Sequence, residues 1–523
     1  MARFARWTAW GAAVALLATG CGGGGASEEK AGGRGGTADA RPTAGSASAA
    51  ATPSAALPAA LTGQKLDWGR CGPTADSSAP GGNWQCATLK TPLDWSQPGG
   101  RTIDLALVRA KSRAEGSDRI GSLLFNFGGP GASGVSTLPS YGSTVSSLRD
   151  RYDLVSWDPR GVGASDGVRC RSDKDIQAAE SLDSTPDTPA EEQAFFQDAT
   201  AFGEGCRKAA GTLLAHVSTT DTARDMDLMR QVLGDRKTHY FGMSYGTELG
   251  GVYAHLFPQN VGRLTLDAVV DPSADAVGHA LNQARGFQRA LEDYLASTGQ
   301  NPQAGSTRIA ALLDRLDARP LPGTDGRKLT QALAVIGIVL PLYSEAGWPR
   351  LTRALKAAQT GDGSELLELA DRYNERDSSG RYGTTAHSQR VISCLDDRRR
   401  PTAQETKLLV PQFEKVSAVF GDFLAWDTVG WCHDWPVAGQ YDTPEVSAAG
   451  AAPILLVGTT GDPATPYEGT RKMADELGKG VGVRLTWKGE GHIAYGSGSS
   501  CVDSAVDDYL LKGVVPRDGT VCS

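Results

Sequence analysis

The sequence predicts an α/β fold: a mostly parallel sheet with helices on both faces and an inserted helical cap. Three observations predict it. Short apolar runs alternate with helical patterns, each run ends at Gly, Asp or Pro, and a long central stretch is helical throughout. Strands that alternate with helices typically form parallel sheets that are buried on both faces. Ligands of such sheets bind beyond the carboxyl ends of the strands, where the turn residues lie.

The individual elements follow from this alternation. The apolar runs that predict strands are 122–127, 152–157, 238–241, 263–269 and 454–457, with a further run at 483–487. Helical spacing occurs at 222–233 and 247–257, and in the central stretch at 309–316, 329–343, 348–359 and 364–373. The central stretch shows no clear strand, so it is interpreted as a cap inserted into the α/β body.

Composition excludes some classes of protein. The chain has 523 residues, of which 40% are hydrophobic and 21% are charged, and its net charge is −8. These values are typical of a globular protein with a large core, and not of a disordered chain. A nucleic-acid-binding protein normally carries a basic face, so we expect no nucleic-acid partner.

The N-terminus predicts export. Residues 1–20 combine Arg3 and Arg6 with an apolar, small-residue stretch that is too short to span a bilayer. The small residues directly before Cys21 resemble a bacterial lipobox, in which the cysteine is acylated and becomes the mature N-terminus. The alternative is an ordinary cleaved signal in which Cys21 has no special role. We expect an extracytoplasmic protein whose contact with the membrane is through this lipid anchor.

Composition also divides the rest of the chain. Residues 21–62 are mostly Gly, Ala, Ser, Thr and Pro, which cannot bury enough apolar surface, and we expect a flexible tether. The α/β core is expected in two parts, 63–273 and 441–523, which flank the helical cap at 274–440.

Cysteine content fits the same compartment. Nine cysteines are present, and setting aside Cys21 leaves an even number, which favours disulfides in an oxidising environment. Eight cysteines allow on the order of a hundred pairings, and sequence does not decide among them. Pairing of chain neighbours closes the shortest loops and is the arrangement we expect: Cys71 with Cys86, Cys170 with Cys206, Cys394 with Cys432, and Cys501 with Cys522. A zinc site is disfavoured because there is no CxxC motif.

A Gly-x-Ser-x-Gly motif occurs twice, at 163–167 and at 242–246. A nucleophile elbow needs a strand before the serine and a helix directly after it, with small residues on both sides. Ser244 follows a predicted strand and opens a predicted helix. Ser165 follows a loop and precedes no helical pattern, and is interpreted as a structural loop residue.

A serine nucleophile needs a base, and the base needs an acid to orient it. In the α/β-hydrolase fold these follow in the order Ser, Asp or Glu, His. His492 lies in a small-residue turn after a predicted strand, whereas His387 and His433 fall in the cap and are expected to pack or lie at the surface. Asp462 is the first carboxylate after the strand that precedes it, although an Asp-Pro pair can also simply begin a turn. The predicted catalytic triad is Ser244, Asp462 and His492.

Acyl transfer also needs two backbone N–H groups to hold the oxyanion. The glycine-rich segment 127–131 follows an early strand, and its glycines let the backbone approach a substrate carbonyl. A phosphate cradle is the alternative, but the segment lacks the Walker Lys-Ser/Thr ending and the dinucleotide spacing. We expect the amides of Gly128 and Tyr245 to be the donors, and no metal or organic cofactor.

Taken together, these motifs resemble the secreted tripeptidyl aminopeptidases, an α/β-hydrolase family related to the prolyl aminopeptidases. The similar segments are 126–134, 157–165, 219–225, the elbow at 242–246, and the turns of Asp462 and His492. The resemblance runs from about residue 65 to the C-terminus. It implies a serine exopeptidase that removes short peptides, tripeptides in the family, from free N-termini, with the cap limiting access. Phe127 stands where the family usually has Pro or His.

The resemblance also implies a role for one acidic residue of the cap. The segment 394–397 resembles the family's Cys-x-Asp segment, which makes Asp396 a candidate ligand of the substrate ammonium group. The alternative is a solvated acidic pair, Asp396 and Asp397, beside three arginines. An esterase with the same triad and a noncatalytic binding lipoprotein are the alternative functions, because a fold does not determine the group that is bound or transferred.

Overall fold

The computed structural model describes residues 57–74 and 77–523. The predicted signal at 1–20, Cys21 and most of the predicted tether lie outside the described residues. The described chain begins within that tether, where Ala59–Thr62 forms a short helix, α1, with Leu61 buried.

The strands of the described chain form one large sheet and one small one. In chain order they are β1 (Gly69–Arg70), β2 (Gln85–Pro92), β3 (Thr102–Ala110), β4 (Gly121–Asn126), β5 (Tyr152–Trp157), β6 (Thr238–Met243), β7 (Val261–Asp267), β8 (Leu321–Pro322), β9 (Lys328–Leu329), β10 (Ile454–Gly461), β11 (Gly482–Glu490) and β12 (Thr520–Cys522). The large sheet has the order β1-β2-β3-β5-β4-β6-β7-β10-β11-β12. It is parallel from β5 to β12 and antiparallel at the β1-β2-β3 edge.

Burial explains which strands the sequence reveals. All six residues of β4 are buried, as expected for a central parallel strand covered on both faces. In β3, buried and more exposed positions largely alternate, because an edge of the sheet has one side facing solvent. The predicted strands are therefore the central parallel ones, and the antiparallel edge went unpredicted.

Helices cover both faces of the sheet, which confirms the predicted α/β-hydrolase fold. Those of the body are α2 (Gly134–Tyr141), α3 (Asp173–Ala179), α4 (Pro189–Ala210), α5 (Thr219–Val232), α6 (Tyr245–Leu256) and, after the central stretch, α15 (Glu468–Leu477) and α16 (Ser500–Asp507). The central stretch holds α7 (Ala276–Ser297), α8 (Pro302–Ala318), α9 (Gln331–Leu342), α10 (Trp348–Gln359), α11 (Ser364–Tyr373), α12 (Thr385–Asp396), α13 (Ala403–Val416) and α14 (Gly421–Gly430).

The central stretch has a hydrophobic core of its own. Phe287, Leu291, Ile338 and Phe413 are fully buried within it, and each such side chain contributes about 1.5–3 kcal/mol when removed from water. The expectation that this stretch contains no strand is wrong in one detail, because β8 and β9 pair there. Two-residue strands are too short to produce a periodic pattern in the sequence.

Two of the motifs singled out in the sequence meet in a buried ion pair. Arg160 donates from Nε and Nη2 to the two carboxylate oxygens of Asp225, both at 2.7 Å, and neither side chain is exposed. Such a bidentate pair, with its remaining donors on backbone carbonyls, is geometrically specific. It holds the start of α5 against the loop after β5.

The structure contains the four disulfides expected from neighbour pairing. They are typical of an extracytoplasmic protein. The bond between Cys394 and Cys432 links α12 to the segment after α14, and the bond between Cys501 and Cys522 links α16 to β12. Among the described residues, no helix has the length and apolar character needed to cross a membrane.

Candidate active site

Ser244 occupies a sharp turn between β6 and α6. Its φ of 56° and ψ of −126° lie outside the regions that side-chain-bearing residues prefer, and the residue is 3% exposed. Small neighbours make this turn sterically feasible: a Cβ on Gly242 would lie 2.3 Å from Gly246 O, and one on Gly246 would lie 2.8 Å from Asn126 O. This strand, strained serine and helix form a nucleophile elbow.

The second Gly-x-Ser-x-Gly motif has a different structure. The Ser165 hydroxyl donates to Asp158 O at 2.7 Å and accepts from Ala106 N at 2.8 Å. It is completely buried in a loop that leads into no helix. The interpretation of Ser165 as a structural loop residue agrees with these contacts.

Asp462 and His492 form a hydrogen-bonded pair. His492 Nδ1 lies 2.9 Å and 3.1 Å from the two carboxylate oxygens of Asp462, which directly follows β10. The backbone amides of Ala464 and Thr465 and the Thr465 hydroxyl also donate to that carboxylate, each at 2.9 Å. His492 is 4% exposed, and its Nε2 is buried without a hydrogen-bond partner. The pair thus presents one imidazole nitrogen that is able to accept a proton.

A residue that sequence reasoning missed connects the loops of Ser244 and His492. Asp267 ends β7, which lies between β6 and β10 in the sheet. Its carbonyl oxygen accepts from Ser244 N at 3.0 Å, and its carboxylate accepts from Ala494 N at 3.2 Å and Tyr495 N at 2.9 Å. In the sequence it was only a polar residue within the predicted strand 263–269, and no local signal marks these long-range bonds.

The predicted oxyanion donors lie beside the nucleophile. A Cβ on Gly128 would lie 2.9 Å from Ser244 Cβ and 3.4 Å from Tyr245 N, so this glycine is needed for the close approach. Tyr245 N is in the first turn of α6, where amides have no partner within the helix. Gly128 N instead donates to Asn126 Oδ1 at 3.0 Å. Of the two amides, that of Gly128 is therefore engaged by a side chain in this structure.

Asp396 lies at the end of α12 and is 7% exposed, so the alternative of a solvated surface pair does not describe it. Its carboxylate accepts from Thr219 N at 2.9 Å and from Thr219 Oγ1 at 2.6 Å. Thr219 Oγ1 lies 2.5 Å from the Tyr245 hydroxyl. Two hydrogen bonds thus connect this carboxylate to the residue that follows Ser244.

The other two histidines considered in the sequence take no part in this arrangement. His387 Nδ1 accepts from Cys170 N at 2.9 Å in a buried position, and His433 Nδ1 lies 3.0 Å from Pro401 O. Both contacts agree with the expected packing roles. Among the described residues, no group of three or more His, Cys, Asp or Glu side chains is arranged to hold a metal ion.

Comparison with known proteins agrees with the fold and the motifs. A family model described as "TAP-like protein" matches residues 417–522. Over 484 residues the chain is 34% identical to serine protease Hip1 of Mycobacterium tuberculosis, which covers 88% of this chain and 91% of that protein. It is 33% identical to carboxylesterase B of the same organism, over 84% of this chain and 86% of that protein.

A third relative bears on the predicted family. The chain is 30% identical to the tripeptidyl aminopeptidase of Streptomyces coelicolor, over 88% of this chain and 86% of that protein. Each of these relatives is at least 30% identical to the chain and covers most of it. The chain therefore belongs to the tripeptidyl aminopeptidase-like family of α/β-hydrolases and is a serine hydrolase.

Proposed function

We propose that this protein is an exported serine exopeptidase that releases short peptides, tripeptides in the first instance, from free N-termini. Ser244 is the nucleophile, His492 the base and then the acid, and Asp462 the residue that orients the imidazole. The observation that carries the proposal is the buried acidic group Asp396, joined through Thr219 to the residue after Ser244. An exopeptidase needs such a group near its nucleophile to recognise a free N-terminus.

The first half of the reaction follows from the contacts of His492. The hydrogen bond from Nδ1 to Asp462 leaves Nε2 free, and no hydrogen bond joins it to the Ser244 hydroxyl in this structure. In the proposed reaction the two come together on substrate binding, and Nε2 takes the proton from the hydroxyl. Ser244 Oγ then attacks the scissile carbonyl, and the oxyanion is held by the amides of Tyr245 and Gly128. Because Gly128 N donates to Asn126 in the free enzyme, this second donor becomes available when it turns from Asn126 to the oxyanion.

The first half ends when His492 gives its proton to the leaving amine, which departs and leaves the N-terminal peptide esterified to Ser244. In the second half the same imidazole deprotonates a water molecule, which attacks the ester. The imidazole then returns the proton to the departing Ser244 oxygen and restores the free serine. No metal ion or organic cofactor is needed for these steps.

A panel of chromogenic substrates tests the reaction. Tripeptidyl and aminoacyl anilides with free N-termini are compared with their N-acetylated forms and with short esters. We expect cleavage of the free tripeptidyl anilide, with the tripeptide as the product seen by mass spectrometry. Hydrolysis of esters alone would contradict the peptidase proposal and favour the second candidate, a carboxylesterase, which the similarity to carboxylesterase B supports.

Labelling with a fluorophosphonate tests catalysis itself. The wild-type protein should be labelled, and Ser244→Ala should not be. Ser165→Ala is the matched control in the other motif and should keep the label if it folds. An unlabelled wild type would favour a noncatalytic binding protein.

The export route is part of the proposal. The predicted signal at 1–20 would deliver the chain across the membrane, and acylation of Cys21 would then hold it there. Metabolic labelling with a fatty acid should mark the wild type and leave Cys21→Ala unlabelled. An unlabelled wild type would indicate an ordinary cleaved signal.

A further inference from the structure

A small cavity lies between the α/β body and the cap, next to the nucleophile elbow. It encloses about 50 Å³. The body contributes Tyr245 and Glu248 from α6, and the cap contributes Ser393 and Asp396 from α12. Tyr245 directly follows Ser244, and Pro130, which also lines the cavity, belongs to the segment that carries Gly128.

Two observations indicate that the cavity is built for a polar ligand. Ser393 is 7% exposed, and its hydroxyl has no hydrogen-bond partner, although buried hydroxyls normally have one. Glu248 has one side-chain contact in the described structure, with the Tyr441 hydroxyl at 3.4 Å, which leaves most of its acceptor capacity unused. A hydroxyl oxygen and two carboxyl groups together are acceptors for a cationic N–H donor.

Most charged groups around the cavity are acidic, and the nearby arginines act on two other acids: Arg399 and Arg400 on Asp397, and Arg160 and Arg224 on Asp221. The titratable and charged groups that face it are Glu248 and Tyr245 of α6, His279 of α7, Asp396 and Asp397 at the end of α12, Tyr441 and Asp442 on the adjacent segment, and Asp221 of α5 beside Asp396. Arg398 is paired with Asp442 at the surface, and burial lowers the pKa of His279. No cationic side chain therefore neutralises Glu248 or Asp396 from within the cavity.

The cavity is large enough for a small polar group. A water molecule needs about 10–15 Å³ of probe-occupied volume, so the space admits an ammonium group. An acetylated N-terminus is larger and has lost its positive charge. The cavity thus suits a free N-terminal ammonium group.

We propose that Glu248 and Asp396 together are the carboxyl ligands of the substrate's α-ammonium group, with the Ser393 hydroxyl as a third acceptor. The inference rests on the proposed exopeptidase function and deepens it. Of these residues, the sequence pointed to Asp396 alone. Glu248 is supplied by the helix that carries the nucleophile, so recognition of the N-terminus and the chemistry share one rigid element.

The proton balance follows from the electrostatics of the pair. Burial and then the charge of Asp396 raise the pKa of Glu248 to about 8, and burial raises the pKa of Asp396 to about 7. Near neutral pH the empty pair therefore retains a proton. When the ammonium group enters, both carboxyl groups ionise against it and the proton leaves to solvent.

Substrate kinetics test the assignment. Three substrates are compared: alanyl-alanyl-alanyl p-nitroanilide, its N-acetyl form and p-nitrophenyl butyrate. For Glu248→Gln we expect KM for the free anilide to rise roughly tenfold or more, since a charge-assisted hydrogen bond is lost. Its kcat and its hydrolysis of the ester should stay within about twofold of wild type. Glu445→Gln is the matched control, because Glu445 is exposed on the neighbouring segment and does not line the cavity.

Calorimetry directly measures the proton release that accompanies binding. Triglycine amide is titrated at pH 7 into the Ser244→Ala protein in two buffers that differ in ionisation enthalpy. We expect net proton release on binding, and a smaller release with Ser244→Ala/Glu248→Gln. Binding without proton release would overturn the assignment.

The outcomes separate this inference from the proposed function. A wild type that cleaves the free anilide, together with Glu248→Gln of unchanged KM, would overturn the inference and leave the exopeptidase standing. Equal losses on the anilide and the ester would also overturn it, since Glu248 would then support α6 rather than bind the N-terminus. A wild type that hydrolyses the ester alone would overturn both.

Discussion

Asp267 is the residue whose contacts explain most about the assembly of the site. It is completely buried, its main chain holds the Ser244 amide, and its carboxylate holds two amides of the loop that begins at His492. Burial raises its pKa to about 7, and the two amides favour its ionised form. Asp267 is thus a positioning residue that acts through the two loops.

Asp267→Asn is expected to impair catalysis. The carboxamide has one acceptor oxygen for two donors, so one backbone amide loses its partner. We expect kcat/KM to fall about tenfold or more for both anilide and ester, with a lower thermal midpoint. Asp503→Asn is the control, because Asp503 accepts from Gly496 N in the same loop but at the surface. An Asp267→Asn enzyme with wild-type kcat would contradict the positioning role.

Asp462→Asn should have a larger effect on the rate than on binding. An amide at this position no longer enforces the imidazole tautomer with a free Nε2, and loss of the corresponding residue in such triads costs about three to four orders of magnitude in kcat. The measurement is kcat for the ester, with the thermal midpoint as a check on folding. A loss below about tenfold would argue that another carboxylate orients His492.

At the scale of elements, α6 combines three tasks. It begins at the nucleophile, and its first turn supplies both the Tyr245 amide and Glu248. Close packing holds it on the sheet, because the glycines at 242 and 246 leave no room for a side chain. The elbow geometry and the cavity depend on this one placement.

Gly242→Ala should therefore destabilise the protein. Its Cβ would lie 2.3 Å from a backbone oxygen of α6, so the helix must shift. We expect a loss of about 1–3 kcal/mol in the free energy of unfolding, and lower activity. Gly69→Ala is the control, since a Cβ there has no neighbour within 4 Å. Equal thermal midpoints for the two variants would contradict this account.

At the scale of the whole molecule, the cap and the body are joined at the site. His492 N donates to Tyr343 O at the end of α9 at 3.0 Å, and the two rings pack edge to face. Asp396 from α12 binds the start of α5 in the body. These contacts fix the cap on both sides of the nucleophile, and the cavity between them exists only in the assembled protein.

Several buried acidic side chains, some in the cap and some in the body, make the stability of the folded protein depend on pH. Burial raises the pKa of Glu248 to about 8, and that of Asp267, Asp396, Asp427 and Glu490 to about 7. The folded protein then binds more protons than the unfolded chain above the normal pKa of carboxyl groups, so stability falls as pH rises through these values. Below about pH 6.5 the buried His239 and His387, whose pKa burial lowers to about 4, act in the opposite direction.

Between pH 6.5 and 8 the buried histidines no longer oppose the buried acids. In this range we expect the thermal midpoint to decrease as pH rises and then to level off. Differential scanning calorimetry across this range provides the measurement. The Glu248→Gln/Asp396→Asn double variant should show a shallower decrease, because two of the groups are gone. A midpoint that rises across the window would contradict the account.

The sequence predicted the central parallel strands and the elbow because each has a local signature. β5 was predicted with its observed bounds, since most of its residues are apolar and buried. The antiparallel strands β2 and β3 were missed, because their exposed positions carry polar residues. Asp267 and Glu248 were missed because neither sits in a local motif.

What the sequence alone determined is the kind of element that presents each of the proposed reacting groups. A strand, a serine between glycines and a helix define an elbow through steric limits that act over a few residues. What only the tertiary structure decided is which groups meet. The order of strands in the sheet places β7 between β6 and β10, and so brings Asp267 to both loops. The packing of the cap on the body brings Asp396 to Tyr245 and Glu248. Such contacts depend on packing between segments far apart in the chain, which local patterns do not encode.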